Sequence, residues 1–178
     1  METGTNPIAQ HGFTLVELIT IMVIVGVLGA IAGPSFFTRS VFDSRGFHDT
    51  VISTLRYAQK TAIAQRRFVC VAFGTNPASV TLTYDSTAPS AAHLTASCPG
   101  SALTGPSGQT PYSVSSSNAS FKSTPTPSTF YFDALGKMID NVTGSPPLCV
   151  YISGATTITV ESWTGYVHDH IPSDPCTG

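Results

Sequence analysis

The chain has 178 residues and few charges: 10% are Asp, Glu, Lys or Arg, with a formal net charge of −2. With no basic excess, composition offers no face for generic electrostatic binding of nucleic acid. Setting aside a short polar leader and one apolar run leaves about 140 residues, enough for one compact domain with a modest core.

The leader, residues 1–12, ends in Gly12. Phe13-Thr14-Leu15-Val16-Glu17-Leu18-Ile19 comes next, and the chain stays apolar through Met22, Val25, Leu28 and Ile31 to Phe37, with Glu17 the only charge. About 20 helical residues at ~1.5 Å each cover the ~30 Å hydrocarbon core of a bilayer, so a transmembrane helix is expected over 13–36. A carboxylate inside such a helix costs roughly 2.5–3.5 kcal/mol on insertion scales, so Glu17 is expected to be interfacial, paired or functional. A local reading also exists. Thr14 and Glu17 fit the S/T-x-x-E capping box, which satisfies free N–H groups at a helix start.

The string Gly-Phe-Thr-Leu-Val-Glu-Leu resembles the class III signal of type IV pilins and type II secretion pseudopilins. The resemblance implies cleavage between Gly12 and Phe13 by a prepilin peptidase and N-methylation of Phe13. It also implies an assembly role for Glu17, pairing with the N-terminal ammonium of a neighbouring subunit. An ordinary secretory signal is the rival reading, because Ala30-Ile31-Ala32 matches A-x-A. The leader has no Lys or Arg, which counts against that rival and also departs from the usual pilin leader. Arg39 and Arg45 lie just beyond the apolar run, and a positive-inside count alone would place the C-terminal part in the cytoplasm. The motif outweighs that count and points to a single pass through a bacterial inner membrane with the C-terminal part in the periplasm.

Gly33-Pro34 interrupts the apolar pattern, and Pro34 predicts a kink, since proline removes a helical hydrogen bond and clashes with the preceding turn. In pilins a proline here marks where the helix can unwind. From Val41 to Arg66 the pattern is that of an amphipathic helix. Val51, Leu55, Ala58 and Ala62 recur at spacings of four, three and four, with Ile52 and Ile63 widening the stripe. Residues 55–64 resemble the second half of the long helix in the GspH/FimT group of minor pilins. Together the two segments imply one helix of roughly 50 residues or more, ~80 Å long. The expected divisions are a leader over 1–12, a transmembrane helix over 13–36, its amphipathic half over 37–67 and a β-domain over 68–178.

Residues 68–73 switch to period two and are rich in β-branched and aromatic side chains, a strand signature. Asn76-Pro77 turns, residues 80–84 return, and Ala92 to Ser97 is a candidate third strand. From Pro99 to Ser128 the chain is mostly Ser, Thr, Pro and Gly, expected as loops around one or two short strands anchored by Tyr112, Val114 and Phe121. Residues 129–138 form a strand-turn phrase with Gly136 at positive φ; the phrase resembles the F-x-x-x-G hairpin of the same family. Residues 148–152 and 157–160 make a hairpin around Gly154, and a last strand is expected near Trp163 to His168. The implied fold class is α+β, the type IV pilin fold: a long N-terminal helix packed on an antiparallel β-domain.

Cys70, Cys98, Cys149 and Cys176 contain no C-x-x-C pair, which gives a zinc site little support. Beyond a membrane span they are expected as two disulfides. Of the three connectivities, Cys70–Cys98 with Cys149–Cys176 is preferred, because each closes a loop of roughly 30 residues worth about 3–4 kcal/mol in the chain-entropy model. Such bonds imply an oxidising compartment.

No metal, cofactor or catalytic residue is assigned, and no enzyme is expected. His168-Asp169-His170, with Asp174 nearby, is too few ligands for a site. G-x-S-x-G and G-x-x-x-x-G-K are absent. The sequons at Asn118 and Asn141 read as coincidence in a bacterial protein. Some FimT-type pilins bind DNA through a C-terminal Gly-Arg-x-Arg phrase. The matching residues here, Gly165-Tyr166-Val167-His168, lack both arginines, and no Lys or Arg occurs after Lys137. That argues against a DNA partner.

The resemblance therefore implies a minor pilin or pseudopilin that enters a type IV pilus-like filament and helps initiate or cap its assembly. Its partners would be other major and minor pilins, the prepilin peptidase, the inner-membrane assembly platform and membrane lipid. Low charge, four cysteines and Ser/Thr-rich loops suggest a minor pilin of an adhesive pilus, such as the mannose-sensitive haemagglutinin type. The alternatives are a pseudopilin at the tip of a type II secretion filament, and a tip binding module acting as adhesin or DNA receptor.

Overall fold

The computed structural model describes residues 13–32, 39–123, 126–140, 146–171 and 176. By internal contact the chain divides into two units, Met1–Arg39 and Ser40–Gly178. The first holds α1 (Leu15–Ala32), in which only Glu17 and Thr20 are polar. Two hydrogen bonds from Thr14 start it: the Glu17 N–H donates to Thr14 Oγ1 at 3.2 Å and the Leu18 N–H donates to the Thr14 carbonyl at 3.2 Å.

The second unit begins on α2 (Arg39–Gln65). The expected stripe faces inward, with Val51, Leu55, Ala58 and Ala62 all fully buried. Phe47 extends the stripe toward the helix start, and Ile52 belongs to it. Ile63 does not: it is 48% exposed, because it sits at the border of the stripe, against the turn at Gly136. α2 belongs to the same unit as the strands it packs on. Residues 33–38 lie outside the described residues, so the kink at Pro34 and the continuity of one long helix do too.

The strands among the described residues are β1 (Val69–Thr75), β2 (Ala78–Tyr84), β3 (Ser101–Ala102), β4 (Tyr112–Ser116), β5 (Phe130–Phe132), β6 (Met138–Ile139), β7 (Leu148–Val150), β8 (Ile158–Val160) and β9 (Val167–Asp169). The larger sheet runs β3-β2-β1-β5-β6, with β4 pairing the remaining length of the β2 edge that β3 leaves open. The smaller sheet runs β7-β8-β9, and every pairing is antiparallel. The architecture is α+β, a helix followed by antiparallel sheets.

Alternation decides which side chains meet α2, since successive residues of a strand point to opposite faces. Val69 and Val71 of β1, Val80 and Leu82 of β2, and Phe130 and Phe132 of β5 enter the main core. Cys70 and Tyr131, one residue out of phase, face the other side and form a small second cluster with Phe68. The two sheets are tied by an isolated bridge between Phe121 and Ile152, and the Phe121 ring packs 5.6 Å from that of Phe47.

The expected strand over Ala92 to Ser97 is absent. That segment is a loop with a single bridge between Ser90 and His93. Its one large apolar residue, Leu94, is 74% exposed, so it has no face to bury. The Ser97 N–H donates to the Asp85 carboxylate instead of to a neighbouring strand. The last strand also begins later than expected, at Val167, because residues 161–166 form the turn before it.

Candidate functional site

Two groups of residues concern function: the N-terminal helix, and the cross-linked and charged surfaces of the folded unit.

On the N-terminal helix, large apolar residues from Phe13 to Leu28 are each between 49% and 77% exposed, all around its circumference. A helix apolar on every side has no face for water and is stable only when surrounded by apolar groups. Among the described residues no helix is both long and apolar enough to cross a membrane. The 18 residues of α1 measure about 27 Å against the ~30 Å hydrocarbon core. Glu17 sits in its first turn. The cap is half of a capping box, because Thr14 accepts from the Glu17 N–H while the Glu17 carboxylate has no hydrogen bond or ion pair among the described residues. Gly12 and Pro34 lie outside the described residues.

In the folded unit, Cys70 bonds Cys98 and Cys149 bonds Cys176. The first bond crosses from the outer face of β1 to the loop after β2. Cys149 pairs with Thr159 in the β7–β8 register, and the Thr159 hydroxyl lies 3.5 Å from Cys176 Sγ, so the second bond covers the outer face of the small sheet.

Three polar hubs hold the loops, and the sequence carries no signal for any of them. Buried Asp85 accepts from the N–H groups of Thr87 and Ser97, both within 2.8 Å, and lies 2.7 Å from Nε2 of His93. Burial opposes its charge, but the N–H groups of Ser97 and Thr87 and the His93 imidazole outweigh it and hold the carboxyl below the usual range. His48, its side chain 7% exposed, places Nδ1 3.2 Å from Asp49 and Nε2 3.0 Å from both Asp169 and the Thr156 hydroxyl. Gln59 donates from Nε2 to the carbonyls of Gly136 and Thr164, joining the β5–β6 and β8–β9 turns. The tips of these turns carry the exposed side chains Leu135 and Trp163, and Lys137 Nζ lies 4.1 Å from the centroid of the Trp163 ring.

His168 lies in β9 with Nε2 3.4 Å from Glu161 and Nδ1 2.8 Å from the Asp169 carbonyl. Among the described residues no group of three side chains is gathered for a metal ion; Asp174 lies outside them.

The described residues form an apolar N-terminal helix and, as a separate unit, an α+β body. Residues 8–33, which include Gly12, Phe13 and Glu17, match the family described as the prokaryotic N-terminal methylation motif. No curated protein matches the chain. It is similar to two crystal structures of the type IV minor pilin FimU of Pseudomonas aeruginosa strain PAO1. For one, identity is 13% over 71% of this chain and 91% of that one, with a TM-score of 0.41. For the other, identity is 14% over 81% and 95%, with a TM-score of 0.40.

Proposed function

We propose that this chain is a minor pilin-type structural subunit that enters a type IV pilus-like filament and helps to initiate or cap it. The supporting observation is the match to the methylation motif over residues 8–33, with the carboxylate of Glu17 in the first turn of an apolar helix. In this reading a prepilin peptidase cuts after Gly12, and the new amino group of Phe13 is methylated. The helix over 13–36 holds the chain in the inner membrane until an assembly platform moves it into the filament. A carboxylate removed from water needs a positive partner to offset its desolvation. The ammonium of a neighbouring subunit's first residue supplies one, and Glu17 thereby sets the register of the incoming chain. The two disulfides agree with a periplasmic folded unit, since such bonds persist in oxidising compartments.

Mass spectrometry of the membrane-extracted protein tests this reading. It should find a chain that begins at N-methylated Phe13. A chain beginning at Gly33, after Ala30-Ile31-Ala32, would identify an ordinary signal peptide and end the proposal.

A further inference from the structure

A groove of about 510 Å³ opens between the first turns of α2 and the end of β4 with the serines that follow it. Its helical wall is Phe42, Gly46 and Thr50, spaced by four and therefore on one face. Phe42 presents its ring to solvent, at 72% exposure. Gly46 has no local reason to be glycine. In a helix interior glycine is less stable than alanine, because it gives up more backbone freedom on folding. Here that freedom is not used: the backbone at 46 is ordinary α-helix, and a Cβ there would meet nothing within 4 Å. The facing wall is rich in hydroxyls, Ser115, Ser116 and Ser117 ending in Asn118. Ser116 Oγ accepts from the N–H groups of Asn118 and Ala119, at 3.3 and 3.1 Å, which leaves its hydroxyl hydrogen to donate. The Asn118 amide donates to Asp43 Oδ2 at 2.9 Å. That bond fixes the one charged side chain of the lining and leaves the amide oxygen to accept.

We propose that this groove binds a neutral saccharide, with a pyranose ring over Gly46 beside the Phe42 ring and its hydroxyls on the wall from Ser116 to Asn118. A sugar hydroxyl both donates and accepts, and so do the serine hydroxyls and the carboxamide that face it. A charged ligand would meet a single carboxylate already held by an amide. One face of a pyranose ring is lined with C–H groups. An exposed aromatic ring gives that face an apolar partner while the hydroxyls at its rim stay hydrogen-bonded. A large apolar side chain of another protein would also fill the space over Gly46. It would leave the serines and Asn118 covered and unpaired, which is costly. The volume fits as well, since small-ligand sites run from roughly 300 to 1,000 Å³. This site does not depend on the filament role proposed above.

Saturation-transfer NMR tests the site on the membrane-extracted chain in lipid nanodiscs free of glycolipid and of sugar-headed detergent. The probes are the methyl glycosides of glucose, galactose, mannose and N-acetylglucosamine, with benzyl alcohol as the apolar control. At least one glycoside should receive saturation at millimolar concentration, through its ring C–H protons. Phe42→Ala should weaken that binding by roughly tenfold or more, the scale of a binding hot spot. Gly46→Leu should abolish it while the melting temperature holds or rises, since leucine is a strong helix former and its Cβ meets nothing there. A glycine that served only the fold would not separate binding from stability in this way. If Phe42→Ala lowers the melting temperature, Gly46→Leu alone decides. No transfer to any glycoside, or transfer that survives Gly46→Leu, overturns the site. Transfer to benzyl alcohol alone would make the groove an apolar one and overturns it too. Each result reads the same whether or not the chain begins at Phe13, so this site and the proposed function fail separately.

Discussion

The carboxylate of Asp85 lies 2.7 Å from Nε2 of His93. An ionised carboxylate only accepts hydrogen bonds, so that nitrogen carries the hydrogen. Three donors converge on Asp85 and close the loop from Ser86 to Ser97 over the outer face of β1. The folded unit is therefore expected to lose stability in acid. The folded carboxyl titrates below its unfolded value, so its contribution is fully present above the ordinary carboxylate range of about 4 and is lost as pH falls through the lowered value. Asp85→Asn should lower stability at neutral pH by about 1.5–3 kcal/mol, the worth of a hydrogen bond to a charged group, and should flatten this acid dependence. Urea midpoints at a series of pH values measure both.

Gly165 has φ +65°, and a Cβ there would fall 1.8 Å from the Gly136 carbonyl oxygen. Side chains with a Cβ avoid that backbone region, and here the clash is with backbone, which cannot rotate away. Gly165→Ala should cost about 1–3 kcal/mol from conformation alone. Gln59→Ala keeps both turns unstrained but frees their carbonyls, so its cost should be smaller. A thermal melt that ranks Gln59→Ala as the worse variant would contradict this account of the joint.

Leu55 is fully buried where α2 meets the sheet. Leu55→Ala should destabilise the folded unit by about 2–5 kcal/mol, transfer and cavity terms together. Ile63→Ala, at a half-exposed position on the same helix, should cost much less. Chemical denaturation of both variants reads the difference directly.

The Cys149–Cys176 bond closes 27 residues of sequence. Its loss in Cys176→Ser should cost about 3–4 kcal/mol in the chain-entropy model. Proteolysis is expected to begin near the tail, and peptide mapping locates the first cuts. Four reactive thiols in the native protein would contradict the periplasmic reading.

Glu17→Val removes the one charge from the apolar run, so membrane insertion should be unchanged or improved. Incorporation into a filament should fall if the carboxylate meets a neighbour's ammonium. Immunogold counts on sheared filaments separate the two effects, and full incorporation of the variant would reduce Glu17 to part of a helix cap.

The helical stripe Val51, Leu55, Ala58, Ala62 was legible because a 3.6-residue period can bury one face in only one way, and all four residues are buried. The β1–β2 hairpin and the turns at Gly136 and Gly154 were legible for similar local reasons: alternation, branched side chains and glycines at positive φ. Ala92 to Ser97 read as a strand because its short apolar alternation has no counter-signal in the sequence. The decisive fact was non-local: Asp85 captures the Ser97 N–H.

By itself, then, the sequence determined whatever depends on spacing within one segment: the motif around Gly12 and Phe13, the apolar helix, the inward face of α2 and the alternation of the longer strands. Tertiary structure alone decided that β3 and β4 share one edge of β2, that β7, β8 and β9 form a separate sheet, and that Asp49, Arg56, Lys60 and Asp169 line one cleft. The physical reason is range. Periodicity and turn chemistry act over a few residues and are written in neighbouring letters. Sheet order and charge placement depend on contacts between segments up to 100 residues apart or more, as between Gln59 and Thr164, and their energies are set only when the whole core closes.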